Sequence, residues 1–219
     1  MPLRIDKTLL LIIDVQRDFC AGGALAVPDG DAVVAPLNAM SRAFAAAGAR
    51  VAATQDWHPA GHVSFASSHP GMKPGDLLGA GGEQAQALWP DHCVCGTGGA
   101  DFHTSLDLDP VSLIVRKGFR PRMDSYSAFF ENDRATPTGL GGWIRGLGIE
   151  TVVIGGLATD YCVFYSSMDS VLLGLRVVVA EDAVRAVGLP AGSADAALAK
   201  MRTAGVRLAE SGAIVGELC

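Results

Sequence analysis

Six residues in five short stretches of the sequence have side chains that could do chemistry together. They are Asp14 at the end of the apolar run Leu9–Ile13, Asp56 and His58 in TQDWHP, His92 in WPDHC, Lys117 in VRKG and Cys162 in GLATDYCV. A cysteine is a nucleophile as its thiolate. Cys162 falls where the β-branched run Thr151–Gly155 gives way to a helical pattern. With Thr159 as N-cap it lies in the first helical turn, where unpaired N–H groups and the positive helix end favour an anion. That setting predicts a thiol pKa below the usual ~8.5. Alone, Cys162 reads as well as a small core residue. Asp14 and Lys117 are each costly to bury without a partner, and as a pair they read as a structural ion pair. Beside a thiol they acquire roles, Asp14 accepting its proton and Lys117 stabilising the thiolate.

The second group has the character of a metal site. In extended chain, residues i and i+2 share a side, so Asp56 and His58 can converge on one ion, and His92 closes a set of two imidazoles and one carboxylate. Such a set with open positions suits Fe(II), Zn(II) or Mn(II). The same D-x-H pattern also describes hydrogen-bonded surface residues. His62, in GHVSF, reads as a fourth ligand or a residue behind the ligands, and His69 and His103 as surface residues. Phe19, Trp89 and Tyr126 read as core or as pocket walls. Asp124–Ser127 reads as a polar pocket rim, and Arg120 and Arg122 as solvated.

These residues need elements to carry them. Short β-branched runs at Thr8–Ile13, Arg50–Thr54, Ser112–Arg116, Thr151–Gly155 and Arg176–Ala180 read as strands. Asp31–Ala47, Thr138–Leu147, Thr159–Leu173 and Ser193–Thr203 read as helices, with Gly48, Gly174 and Gly205 past their ends. Continuous apolar strands joined by helical crossovers imply an α/β fold, a mostly parallel sheet covered on both faces. In such a sheet ligands bind beyond the carboxyl ends of the strands, and Asp14, Asp56, His58, Lys117 and Cys162 all fall there. The segment Gln55–Pro110, rich in Gly, Pro, His and Ser, is too long for an ordinary connection and reads as a functional loop. With no composition shift, residues 1–219 read as one domain, with a metal-binding loop region at about 55–110.

Composition narrows the partners. A net charge of -6 without a Lys/Arg cluster argues against nucleic acid. The apolar run before Asp14 is too short for a membrane span or a secretory segment, which points to the cytoplasm. Five cysteines, an odd count, point to reduced thiols rather than a disulfide framework. Cys93-Val94-Cys95 lacks C-x-x-C spacing and reads as structural.

Taken in register, LLIIDVQRDFC, TQDWHPAGHVSF, WPDHCVCGTGGA, VRKG, DSYSAF and GLATDYCV resemble the nicotinamidase/pyrazinamidase family of the isochorismatase-like cysteine hydrolase superfamily, from Thr8 to about Val187. The resemblance implies a six-stranded, mostly parallel sheet and a catalytic triad of Asp14, Lys117 and Cys162. It implies one divalent transition metal ion (Zn2+, Fe2+ or Mn2+) on Asp56, His58 and His92, which orients the ring nitrogen of the substrate. It places Phe19, Trp89 and Tyr126 in the substrate pocket, a cis peptide at Leu157–Ala158, and an oxyanion hole in the N–H groups of Ala158 and Cys162. The implied reaction converts nicotinamide to nicotinate and ammonia in NAD salvage, and pyrazinamide to pyrazinoate, by a possible homo-oligomer with no nucleic-acid or membrane partner. The alternatives are another small-amide cysteine hydrolase resembling N-carbamoylsarcosine amidohydrolase, a metal-water hydrolase in which Cys162 is incidental, and a non-enzymatic metal-binding or thiol-redox module. Isochorismatases proper lack the cysteine nucleophile.

Overall fold

The structure is a computed structural model and describes residues 2–79 and 86–218; Cys219 lies outside them. Strand β1, Thr8–Ile13, is buried along its whole length, because both of its faces meet helices. Leu10 and Ile12 pack in one core with Leu37, Met40 and Phe44 of helix α1 (Val34–Ala47) and Ile214 of the short C-terminal helix α5 (Ser211–Val215). Leu9, Leu11 and Ile13 point the other way. They share a second core with Leu140 and Ile144 of α2 (Leu140–Gly146), Met168 of α3 (Phe164–Leu172) and Met201 of α4 (Ser193–Thr203). Each fully buried Leu or Ile contributes roughly 1.5–3 kcal/mol, so a strand apolar on both faces is stable only between two helical layers.

Around β1 the sheet contains β2 (Arg50–Asp56), β5 (Leu113–Lys117), β6 (Thr151–Leu157), β7 (Arg176–Arg185) and β8 (Arg207–Ala209), in the order β5-β2-β1-β6-β7-β8. Every pairing in it is parallel. The expected six-stranded sheet with helices on both faces is therefore observed. The chain runs outward from β1 through β2 to β5, then returns to the other side of β1 for β6, β7 and β8. This reversal opens a crevice at the carboxyl ends of β1 and β6, where open α/β sheets bind ligands.

Several boundaries move. Strand β2 extends to Asp56, so that carboxylate ends the strand rather than following it. Strand β7 runs to Arg185, five residues past the expected end, and β8 and α5 are elements too short to show a period. The segment Asp31–Ala47 opens as a 3-10 turn, Gly30–Val33, before α1 begins. The long loop carries a two-stranded antiparallel ribbon, β3 (Leu77–Leu78) with β4 (Gln86–Ala87).

One glycine is dictated by this packing. Gly156 pairs with Ile13 across β1 and β6 and has φ 123°, and a Cβ there would overlap the Ile13 carbonyl oxygen. Gly156→Ala should destabilise the fold by more than ~4 kcal/mol, in the range reserved for steric failures in a core. Urea unfolding of the variant measures this; a wild-type midpoint would contradict the close approach.

Candidate active site

Four elements converge at the crevice. Asp14 follows β1 with φ 46°. Its Oδ1 accepts the Thr54 hydroxyl at 2.6 Å, and its own N–H donates to Thr54 Oγ1. That leaves Oδ2 for the Lys117 ammonium at 2.8 Å. Lys117, the last residue of β5, is 1% exposed. Its Nζ also donates to Asp56 Oδ1 at 2.5 Å and to the Ser125 carbonyl at 2.9 Å, and it stands 3.4 Å from Cys162 Sγ. One atom each of Asp14, Asp56 and Cys162 lie within 4.8 Å of one another. The expected trio is thus assembled, and Asp56 joins it through the same ammonium.

The electrostatics reverse one expectation. Ala158, not Thr159, holds the cap position, with no side-chain cap, and Thr159–Val163 is wound as a single π-helical turn before α3. Burial pushes the Cys162 thiol well above its usual value. The Lys117 ammonium pulls it down, but the Asp14 and Asp56 carboxylates push it up again. The thiol therefore rests protonated; the start of a helix does not outweigh loss of solvent and two nearby negative charges. The same burial raises Asp14 to about 6 against the opposing pull of Lys117. For Asp56 burial also works upward, but Lys117 and then His58 outweigh it and hold the carboxyl well below the usual range.

His58 Nε2 is 3.6 Å from Asp56 Oδ2, and one ligand atom each from Asp56, His58 and His92 lie within 4.8 Å of one another. Carbonyl oxygens only accept, so the bonds from His58 Nδ1 to the Gly118 carbonyl and from His92 Nδ1 to the Pro90 carbonyl, both 2.8 Å, place the protons on Nδ1. Each Nε2 lone pair is left free for a cation, and such backing fixes metal-binding imidazoles. Burial and the neighbouring His58 push His92 down to about 4, keeping it neutral. For His58 burial works downward, but the Asp56 carboxylate outweighs it and the pKa is raised. The donor set fits a divalent metal ion. His62 stacks on His58 with ring centroids 4.3 Å apart. Its Nδ1 faces the Ser64 hydroxyl and its Nε2 the Met123 carbonyl, and one of its ring nitrogens lies within 4.8 Å of ligand atoms of His58 and Asp124.

A pocket with about 380 Å³ of empty space opens onto Cys162. Phe19, Trp89, Tyr126, Ala158, Cys162, Asp56, His58 and His92 all line it with Asp124, joined by Leu25, Tyr161 and Val187, which sequence reasoning missed. Trp89 and Tyr126 meet the Tyr161 ring edge-on at 4.9 and 5.4 Å, and the Trp89 indole N–H donates to the Tyr126 hydroxyl. The Leu157–Ala158 peptide is cis, as the resemblance implies. Also missed was Gln16, whose amide brackets the Asp56 backbone through its N–H and its carbonyl, both at 2.8 Å. Thr54 gave one advance signal, a polar residue at the end of an apolar run, and Gln16, set between Val15 and Arg17, gave none.

Four smaller expectations change. Asp124 lines the pocket as expected but is buried, and Ser125 and Ser127 are buried as well. His69 and His103 are half-buried and bonded, to the Val63 carbonyl and the Asp31 carboxylate. Arg120 pairs with buried Glu131 at 3.1 Å and is not merely solvated. Of the close cysteine pair, Cys93 is buried and Cys95 exposed.

Comparison with known proteins follows the same lines. The isochorismatase domain family matches residues 8–212. A nicotinamidase of Escherichia coli (strain K12) is 44% identical over 202 residues, 91% of this chain and 92% of its own. A nicotinamidase/pyrazinamidase of Mycobacterium tuberculosis is 39% identical, over 91% of this chain and 96% of its own. Among solved structures, an Acinetobacter baumanii nicotinamidase/pyrazinamidase superposes with a TM-score of 0.90 at 41% identity, covering 95% of this chain and 98% of that one. The pyrazinamidase of Pyrococcus horikoshii in complex with zinc superposes at 0.77 with 33% identity, covering 93% and 99%. Among the described residues no helix is long and apolar enough to cross a membrane.

Removing the shared cation should be costly. Lys117→Met leaves two carboxylates buried against each other, and breaking such a pair typically costs 3–5 kcal/mol. Denaturant unfolding of the metal-free variant tests this, and a loss under about 1 kcal/mol, the range of an exposed pair, would contradict it.

Proposed function

The chain belongs to the isochorismatase family, and from that premise we propose that it hydrolyses nicotinamide to nicotinate and ammonia through a thioester on Cys162. The observation that carries the reading is the meeting of Cys162 Sγ, the Lys117 ammonium and the Asp14 carboxylate at the floor of an aromatic pocket beside the Asp56, His58 and His92 set. Residues 1–219 act as one domain, and the 55–110 region supplies the metal-binding loop.

Phe19, Trp89 and Tyr126 hold the heteroaromatic ring. Asp56, His58 and His92 hold one divalent transition metal ion, Zn2+, Fe2+ or Mn2+. Bound there, the ion supplies a Lewis-acidic anchor for the ring nitrogen.

The thiol rests neutral, so its proton leaves as the sulfur attacks the amide carbon. Asp14 takes that proton, and Lys117, 3.4 Å from the sulfur, stabilises the negative charge as it grows. The N–H groups of Ala158 and Cys162 receive the oxyanion; losing one such donor typically costs ~3 kcal/mol. Asp14, now a carboxylic acid, gives its proton to the leaving nitrogen, and ammonia departs. Asp14 then deprotonates the water that attacks the thioester, and the proton returns to the sulfur as nicotinate leaves. A carboxyl raised to about 6 suits both directions of transfer. Pyrazinamide presents the same carboxamide and a ring nitrogen, and is turned over as well.

Two measurements test this. Cys162→Ala should abolish release of nicotinate and ammonia, and of pyrazinoate, while retaining metal by elemental analysis. Turnover near wild type would instead favour a mechanism in which the cysteine is incidental. The pH profile of kcat/KM should carry an acid limb, because Asp14 must be ionised to accept the thiol proton. Activity is lost as pH falls through about 6. A limb displaced to about 4, the ordinary carboxylate range, would remove Asp14 from the role of base.

A further inference from the structure

The chemistry above makes no use of Asp124. Its carboxylate is 3% exposed and lines the pocket beside Asp56, His58 and His92. One of its oxygens lies within 4.8 Å of ring nitrogens of His58 and His62. Oδ1 accepts the Ser125 N–H at 2.8 Å and Oδ2 the Gln86 amide at 2.9 Å. Both donors are neutral. Lys117 is spent on Asp14 and Asp56, and Arg120, on the same loop, pairs with Glu131. Among the described residues no cationic side chain pairs with Asp124.

A charge count follows. Asp14, Asp56 and Asp124 are buried around one buried ammonium, Lys117. One ammonium, already shared by two carboxylates, leaves Asp124 with the imidazoles of His58 and His62 beside it. A buried carboxylate without a countercharge is expensive, and two hydrogen bonds from neutral donors only partly offset the cost. A cation held by the adjacent imidazoles would supply the countercharge.

We propose that Asp124 is a positioning residue of the metal centre: it lies outside the Asp56, His58 and His92 set and supplies a buried carboxylate beside them that favours a divalent ion there. The proposal rests on the reading that those three residues hold the ion. It makes Asp124 a determinant of metal affinity, while its bond to Gln86 serves to orient it.

The test uses metal-free protein, prepared with a chelator, and measures Zn2+ affinity by competition against a chromophoric chelator together with the thermal midpoint of the metal-free form. Wild type should bind one Zn2+. Asp124→Asn should bind it about 10- to 100-fold more weakly, the range seen when residues behind metal ligands are lost. The metal-free variant should melt no lower than metal-free wild type, because no Lys or Arg partner is lost and an amide at this position can still hydrogen-bond. Gln86→Ala removes the hydrogen bond but keeps the charge, so it should retain near-wild-type Zn2+ affinity. Asp124→Ser replaces Asp124→Asn if the latter does not fold. A purely structural Asp124 gives the opposite signature, a lower metal-free midpoint with unchanged Zn2+ affinity, and would overturn the proposal, as would an equal loss of affinity in Gln86→Ala. Failure of wild type to bind Zn2+, Mn2+ or Fe2+ would bring down the metal reading itself.

Discussion

Everything at the crevice depends on one buried ammonium. Lys117 has its three N–H donors committed to Asp14, Asp56 and the Ser125 carbonyl, with the Cys162 sulfur in its van der Waals shell. An unpaired lysine at this depth would shed its proton, and an unpaired aspartate would take one up. Together they stay charged, and the geometry that keeps them so also sets the distance between base and nucleophile. The same cation links the amide-cleaving side of the pocket to the metal-binding side, since Asp56 is shared between Lys117 and the imidazoles.

The resting state this produces is a thiol beside a carboxylate, not a preformed thiolate. Burial raises both groups against the pull of the ammonium, Asp14 to about 6 and Cys162 well above its usual value. On the proposed mechanism, a base near neutrality removes the thiol proton as the sulfur begins to bond to carbon, so the charge develops where N–H donors can receive it.

The cores of the five longer strands were readable in the sequence because β-branched apolar runs are local signals, while their ends shifted by as much as five residues. Asp14, Lys117 and Cys162 stood out for the same reason: each is a polar or reactive residue where an apolar run stops. What escaped reading is tertiary in origin. Thr54 and Gln16 matter through the strand or loop they face, and no spacing rule places them beside Asp14 and Asp56. Strand β8 is three residues long and is held by pairing with β7. The direction of the Cys162 shift went against the helix-start argument because a local feature, the turn, was set against burial and two carboxylates that only the fold brings near. Asp124 read as part of a pocket rim because DSYS is polar; it does line the pocket, but Gln86 and the Ser125 backbone hold it buried there.

The order of the sheet has a consequence for how the molecule comes to be. Asp14 and Thr54 leave the ribosome early, with β1 and β2, whereas Cys162 arrives only after β6 has been made. Strand β1 must wait for that distant partner, and parallel pairings between remote segments are slow to form. A nascent or truncated chain therefore displays its carboxylates and imidazoles without the thiol beside them. The reactive constellation is complete only once β6 is docked against β1.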